Sequence, residues 1–190
     1  MFAAALAAAF GALYWKPIQA GLDGGSDAGS VAALGVPADR ILPEAYRLAT
    51  PCSPHRAAEI DGVTIDPDRL LPPRTAEPLV VEGAGGALVP VTRSLLYADL
   101  FARWGHPVVI VARTELGTIN HSLLTVEALR ARGVPILGIA FNGDPAEDSE
   151  ATIAALGSVK RLGRLPRVAP LTAAALRDAF LDAFRLEDFA

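Results

Sequence analysis

Three short runs of almost unbroken apolar residues, PLVVE (78–82), PVVIVA (107–112) and PILGIAFN (135–142), are separated by segments with helical character. The helical segments are SLLYADLFARWG (94–105), TINHSLLTVEALRARG (118–133), 148–156 and about 171–184, and a further strand, KRLGRLP (160–166), precedes the last. A strand that is apolar at every position is buried on both faces. Alternating such strands with helices predicts a mostly parallel sheet covered by helices, an α/β three-layer architecture. Ligands of such sheets gather at the carboxyl ends of the strands, so the residues just after each strand are the candidates for chemistry.

Upstream the pattern is less regular. FAAALAAAF (2–10) is built of strong helix formers and Gly11 is its expected stop. ALYWKP reads as a short strand, IQAGLDGGSD as a loop and DAGSVAALG as a short helix. Residues 36–77 are punctuated by Pro and Gly, with short helices expected near 54–60 and 67–71. GAGGALVPVT (83–92) reads as a glycine-rich loop, and Ser94 as the cap of the helix that Gly105 ends.

Length fits one domain spanning 1–190. A net charge of −4 and a pI near 5.4 argue against an electrostatically driven nucleic-acid partner. The single cysteine, Cys52, allows no intrachain disulfide and fits a reducing cytosol. The apolar start has no Lys or Arg before it and is shorter than the ~20 residues of a membrane span, so a cytoplasmic, non-membrane protein is expected. Positive charge is carried by fifteen arginines and only two lysines, Lys16 and Lys160.

Each strand end offers a candidate with an ordinary alternative beside it. Lys16 can place a point charge on phosphate or carboxylate, or be a solvated lysine. Glu82, followed by Gly83, Ala84 and Gly85, suits a magnesium ion bridging phosphates, or is an exposed turn glutamate. Asp27 is a second magnesium ligand or a simple helix cap. Gly117 and Thr118 open a helix whose free N–H groups form an anion site, or an unoccupied cap. Asn142 can read an adenine edge, or make a turn with Gly143. His55 and His121 read as surface or packed histidines, and no His/Cys cluster has metal spacing.

In order, KPIQAG, SDA, PCSPHRAA, VEGAGGALVPVT, ELGTINH, FNG and GRLP resemble dethiobiotin synthetase from residue 2 to about 170. The resemblance implies a P-loop NTPase-like α/β fold working as a homodimer with ATP and Mg²⁺. It implies closure of the ureido ring of dethiobiotin from 7,8-diaminononanoate and CO₂. One amine takes up CO₂ as a carbamate, ATP phosphorylates the carbamate, and the second amine closes the ring as phosphate leaves. By the same resemblance Lys16 is catalytic, and Asp27 and Glu82 hold the metal. Glu82 to Gly85, Asn142, Gly143, Pro166, Arg167 and Val168 line the nucleotide. Ala20, Gly117, Thr118, Ile119 and Asn120 meet the substrate, the last four across the dimer interface. Two positions depart from the family pattern: Ala20, where a hydroxyl residue is common, and Ala173, where some members carry a glutamate. The family's first strand and its G-x-x-x-x-x-G-K-T phosphate loop have no counterpart within residues 1–190, and FAAALAAAF is similar to the helix that follows that loop. The expectation is that this chain lacks both and is inactive unless extended. Two alternatives stay open: a non-catalytic truncated relative, and a related synthetase of the cobyrinate amidase type.

Overall fold

A computed structural model of the chain describes residues 1–189. Its contacts divide the chain into two compact units, 3–104 with Met1 and from Gly105 onward with Phe2. In chain order the first unit contains α1 (Phe2–Phe10) except for Phe2 itself, β1 (Leu13–Trp15), β2 (Ile18–Ala20), α2 (Asp27–Ala33), β3 (Tyr46–Leu48), α3 (Pro54–Ile60), β4 (Leu79–Val81), β5 (Pro90–Thr92), β6 (Leu95–Leu96) and α4 (Tyr97–Trp104). Short 3₁₀ turns lie at Ala38–Arg40 and Pro67–Leu70.

The alanine-rich α1 stops where expected. Gly11 takes φ 56°, and its N–H and that of Ala12 close on Ala8 and Ala7. The strands pair in parallel, β1 with β4 and β2 with β3. Register sets Leu13 opposite Leu79 and Trp15 opposite Val81. The ladder runs one step further, because the Glu82 N–H donates to the Trp15 carbonyl at 2.9 Å. That step carries Glu82 level with Lys16. Below these strands Ile18, Leu48, Ala57, Leu70, Val91 and Leu100 form the unit's apolar core, with Tyr46 and Tyr97.

Three local expectations are corrected. The segment after Pro17, expected as loop, forms β2, because Tyr46–Leu48 lies beside it to complete a ladder. The GAGGALVPVT segment is not loop throughout: Pro90–Thr92 pairs antiparallel with Leu95–Leu96. For the same reason the following helix starts at Tyr97 rather than at a Ser94 cap. The Asp99 carboxylate accepts from the Leu96 N–H at 2.9 Å.

The second unit contains β7 (Val108–Arg113), α5 (Thr118–Arg130), β8 (Ile136–Asn142), α6 (Glu147–Gly157), β9 (Arg161–Leu165) and α7 (Ala173–Ala183), then a 3₁₀ turn at Leu186–Phe189. Its sheet has the order β7-β8-β9, all parallel, with helical crossovers as the alternating pattern predicts. Ile139, Phe141, Leu162 and Leu165 are buried with Val126, Leu129, Ile153, Leu176 and Phe180 from the helices. At Gly163 (φ 148°) the end of α7 comes so close that a Cβ would stand 2.3 Å from the Ala183 carbonyl oxygen. This glycine is what lets β9 and α7 pack.

Candidate functional site

Lys16 lies one residue beyond β1, and its side chain is buried. Its ammonium group is 2.7 Å from Asp27 Oδ2 and 3.5 Å from Glu82 Oε1. The reading of Lys16 as a solvated lysine therefore does not hold. Nor is Asp27 the cap of its helix. Ser26 does that work, its Oγ accepting from the Gly29 N–H at 3.1 Å. The Asp27 carboxylate is thus available to the lysine, while its own N–H is held by the Gln19 side chain at 3.0 Å. The buried Gln19 also donates to the Gly21 carbonyl at 3.0 Å, which fixes the course of the loop into α2.

A cavity of about 320 Å³ opens in front of this cluster. Lys16 and Asp27 line it together with Ala20, Ala84 and Gly85 from the expected set, and with Cys52, Ser53 and Val89. Gly83 sits on the rings of Phe101 and Tyr97, 3.3 and 3.5 Å from where a Cβ would be. Gly83, the first glycine of the run, is thereby seated on an aromatic floor. Ala20 supplies no hydroxyl to this cavity.

Tyr14 is the residue of this cluster that sequence reasoning missed. It is fully buried and its phenol donates to Glu82 Oε2 at 3.0 Å. Burial, and then the Glu82 carboxylate, hold the phenol's pKa far above its ordinary value, so it remains a donor at any working pH. The signal was present: Lys16 directly follows β1, two residues after Tyr14, a spacing that in extended backbone turns both side chains to one side.

The donor set fits a magnesium ion. Mg²⁺ binds one or two carboxylates and completes its shell with water and phosphate oxygens. Asp27 and Glu82 offer two carboxylates that meet at the Lys16 ammonium. Among the described residues no group of three or more His, Cys, Asp or Glu side chains forms a closed metal cage.

The remaining predicted residues lie in the second unit. Gly117 precedes α5 with φ 93°, and no side chain caps that helix. The Thr118 hydroxyl does not cap it either, since it donates back to the Arg113 carbonyl. Thr118, Ile119 and Asn120 line a groove of about 650 Å³ with Glu115, Leu123 and Ser149. Asn142 ends β8 opposite Leu165, and the Gly143 N–H donates to the Leu165 carbonyl at 3.0 Å. A Cβ on Gly143 would clash with the Thr114 hydroxyl at 2.5 Å. Pro166, Arg167 and Val168 follow β9. Arg167 ties the strand ends together, pairing with Asp144 at 3.0 Å and Glu115 at 3.4 Å. Arg164 donates to the Gly143 carbonyl at 3.3 Å and pairs with the buried Glu150 at 3.1 Å. Neither Arg164 nor Glu150 was singled out from sequence, because a buried ion pair leaves no periodic trace.

A family model described as an AAA domain matches residues 1–175. The ATP-dependent dethiobiotin synthetase BioD of Novosphingobium aromaticivorans is 66% identical over 191 residues, covering 100% of this chain and 92% of that protein. The proteins of the same name from Rhizorhabdus wittichii and Nitrobacter hamburgensis are each 63% identical, again over 100% of this chain and over 91% and 90% of their own lengths. With the motif order, the parallel α/β fold and the Lys16–Asp27–Glu82 cluster, these similarities establish that the chain belongs to the dethiobiotin synthetase family.

Proposed function

We propose that the chain is an ATP-dependent cyclo-ligase of biotin synthesis. It closes the ureido ring of dethiobiotin from 7,8-diaminononanoate and CO₂. The observation that carries this reading is the buried Lys16 ammonium held between the carboxylates of Asp27, at the start of α2, and Glu82, just after β4, in a chain of this family.

The reaction gathers negative charge at one place. An amine attacks CO₂ and loses a proton to give a carbamate. The carbamate oxygen takes the γ-phosphoryl group of ATP, releasing ADP. The second amine then attacks the carbonyl carbon, phosphate leaves, and a proton is lost. Lys16 supplies fixed positive charge to the carbamate and to the phosphoryl group in transfer. Preorganised charge of this kind lowers the barrier because nothing must reorient during reaction. Asp27 and Glu82 would hold Mg²⁺, which when bound neutralises phosphate charge. Gly83 to Gly85 admit anionic oxygens close to backbone N–H groups.

In the second unit, the uncapped N–H groups at Gly117 to Asn120 suit the substrate carboxylate. Asn142, Gly143 and the Pro166–Val168 segment suit the adenine side of the nucleotide. The protein acts as a homodimer in the cytoplasm. Among the described residues no helix is long and apolar enough to cross a membrane.

The test is incorporation of labelled CO₂ into acid-stable product by the chain preceded by the family's first strand and phosphate loop, given the diamine, ATP and Mg²⁺. A free carbamate releases its CO₂ in acid, whereas a closed ureido ring does not. ATP-dependent acid-stable label is expected. Lys16→Ala should lower kcat by about 10²–10³-fold, the range for loss of one preorganised charge-stabilising group. Absence of acid-stable label, or full rate in Lys16→Ala, would overturn the reading.

A further inference from the structure

Glu82 has two oxygens with different partners. Oε1 faces Lys16 at 3.5 Å, and Oε2 accepts the Tyr14 phenol at 3.0 Å. Tyr14 is in no position to follow a wandering carboxylate. It is fully buried, and its strand is held from both sides. On one side it pairs with Val80, and on the other it forms a bridge to Ile41 and its carbonyl accepts from the Leu42 N–H at 2.9 Å. The phenol is therefore a fixed donor aimed at one oxygen of a partly exposed side chain.

We propose that Tyr14 is a positioning residue for metal binding: its phenol locks the Glu82 carboxylate by Oε2, so that Oε1, which faces Lys16, is the oxygen presented to a divalent cation shared with Asp27. The proposal rests on the reading of Glu82 as a magnesium ligand. A carboxylate ligand that turns freely must be ordered each time the cation binds. One already anchored by an outer hydrogen bond is not. Removing such an outer partner commonly costs about 10–100-fold in metal affinity. Tyr14→Phe deletes the hydroxyl and keeps the ring that fills the site. The fold should persist, and an unchanged far-UV spectrum and a cooperative thermal transition would show that it has.

The probe is Mn²⁺, counted by the electron paramagnetic resonance signal of the free ion, with the same extended chain, with and without ATP and in the absence of diamine. Tyr14→Phe should weaken Mn²⁺ uptake about 10-fold or more, and raise the Mg²⁺ concentration needed for half-maximal rate while kcat at saturating Mg²⁺ changes less. Glu82→Gln should weaken it as well. The double variant should be no weaker than Glu82→Gln, because the phenol acts only through that carboxylate. If Tyr14→Phe binds Mn²⁺ normally while Glu82→Gln does not, the role of Tyr14 falls and the metal reading stands. If the two losses add in full, Tyr14 acts through packing, and the proposal falls. If Glu82→Gln binds normally, or the unsubstituted chain takes up no Mn²⁺, Glu82 is no metal ligand and both readings fall.

Discussion

Gly85 and Gly86 are adjacent, yet they answer to different constraints. Gly85 holds φ 85°, and a Cβ there would stand 2.9 Å from Val89 Cγ2; Gly86 has no neighbour within 4 Å of a Cβ. Gly85→Ala should therefore cost about 1–2 kcal/mol in left-handed strain alone. In a protein of this length that is a fall of about 2–8 °C in Tm. Because Val89 lines the same cavity as Lys16, the KM for the diamine should rise with it. Gly86→Ala should leave Tm within about 2 °C, a surface effect of no more than about 0.5 kcal/mol. Thermal melts and initial rates of the two variants, side by side, check this. Single residues were legible where their place in a strand gave them away. Lys16 and Glu82 end apolar runs, and the structure brings them into one ion-pair cluster with Asp27. Tyr14 was hidden because a tyrosine inside an apolar strand looks like core, and in its ring it is. Only its phenol, 3.0 Å from Glu82, has a second task. Asp27 was ambiguous because Ser26 beside it caps helices equally well, and in the folded chain it is Ser26 that does so.

Elements were readable in proportion to their length and periodicity. The strands and helices of the second unit fall where the alternating pattern puts them, since a six- or seven-residue apolar run leaves little choice. The paired strands Ile18–Ala20 and Tyr46–Leu48 were not legible. Each has three residues, and neither is a strand without the other, which lies more than twenty residues away. The same distance between partners decides a prediction about the segment 49–53. That segment carries Cys52 and Ser53 to the cavity, and it is tethered by Asp61 just beyond α3. The Asp61 carboxylate accepts from the Ala49 N–H at 2.6 Å, the Thr50 N–H at 3.3 Å and the Thr50 hydroxyl at 2.6 Å. Asp61→Ala should free this strap while leaving Lys16, Asp27 and Glu82 untouched. Hydrogen exchange at the Ala49 and Thr50 amides should quicken. The KM for the diamine should rise severalfold, with kcat changed less. Unchanged exchange at both amides would show that the segment is held by something other than Asp61.

At the scale of the whole molecule, the acidic pI conceals a set of carboxylates already committed to arginines and backbone donors. In the first unit, hydrogen bonds from Arg93 and then Arg56 hold the Glu59 carboxyl down at about 2. Asp61 is lowered by the Thr50 hydroxyl. In the second unit, Glu147 is lowered by Arg161. A carboxyl whose pKa is lower folded than unfolded takes up protons more readily in the unfolded chain. Its contribution to stability is complete above the unfolded value, near 4.5 for glutamate, and is lost as pH falls toward the folded value. The molecule should accordingly keep a nearly constant Tm from pH 7 down to about 5, then lose it steadily toward pH 2. Arg93 gives Glu59 two hydrogen bonds, at 2.7 and 2.8 Å, so it is the partner to remove. Arg93→Ala should lower Tm at pH 7 and lower it less, or not at all, at pH 2.5, where much of the Glu59 contribution has gone in the parent protein. Both proteins would be followed by circular dichroism across this range at constant ionic strength. Parallel curves at every pH would mean that Glu59 does not titrate with folding, and that Arg93 supports the unit by packing rather than by charge.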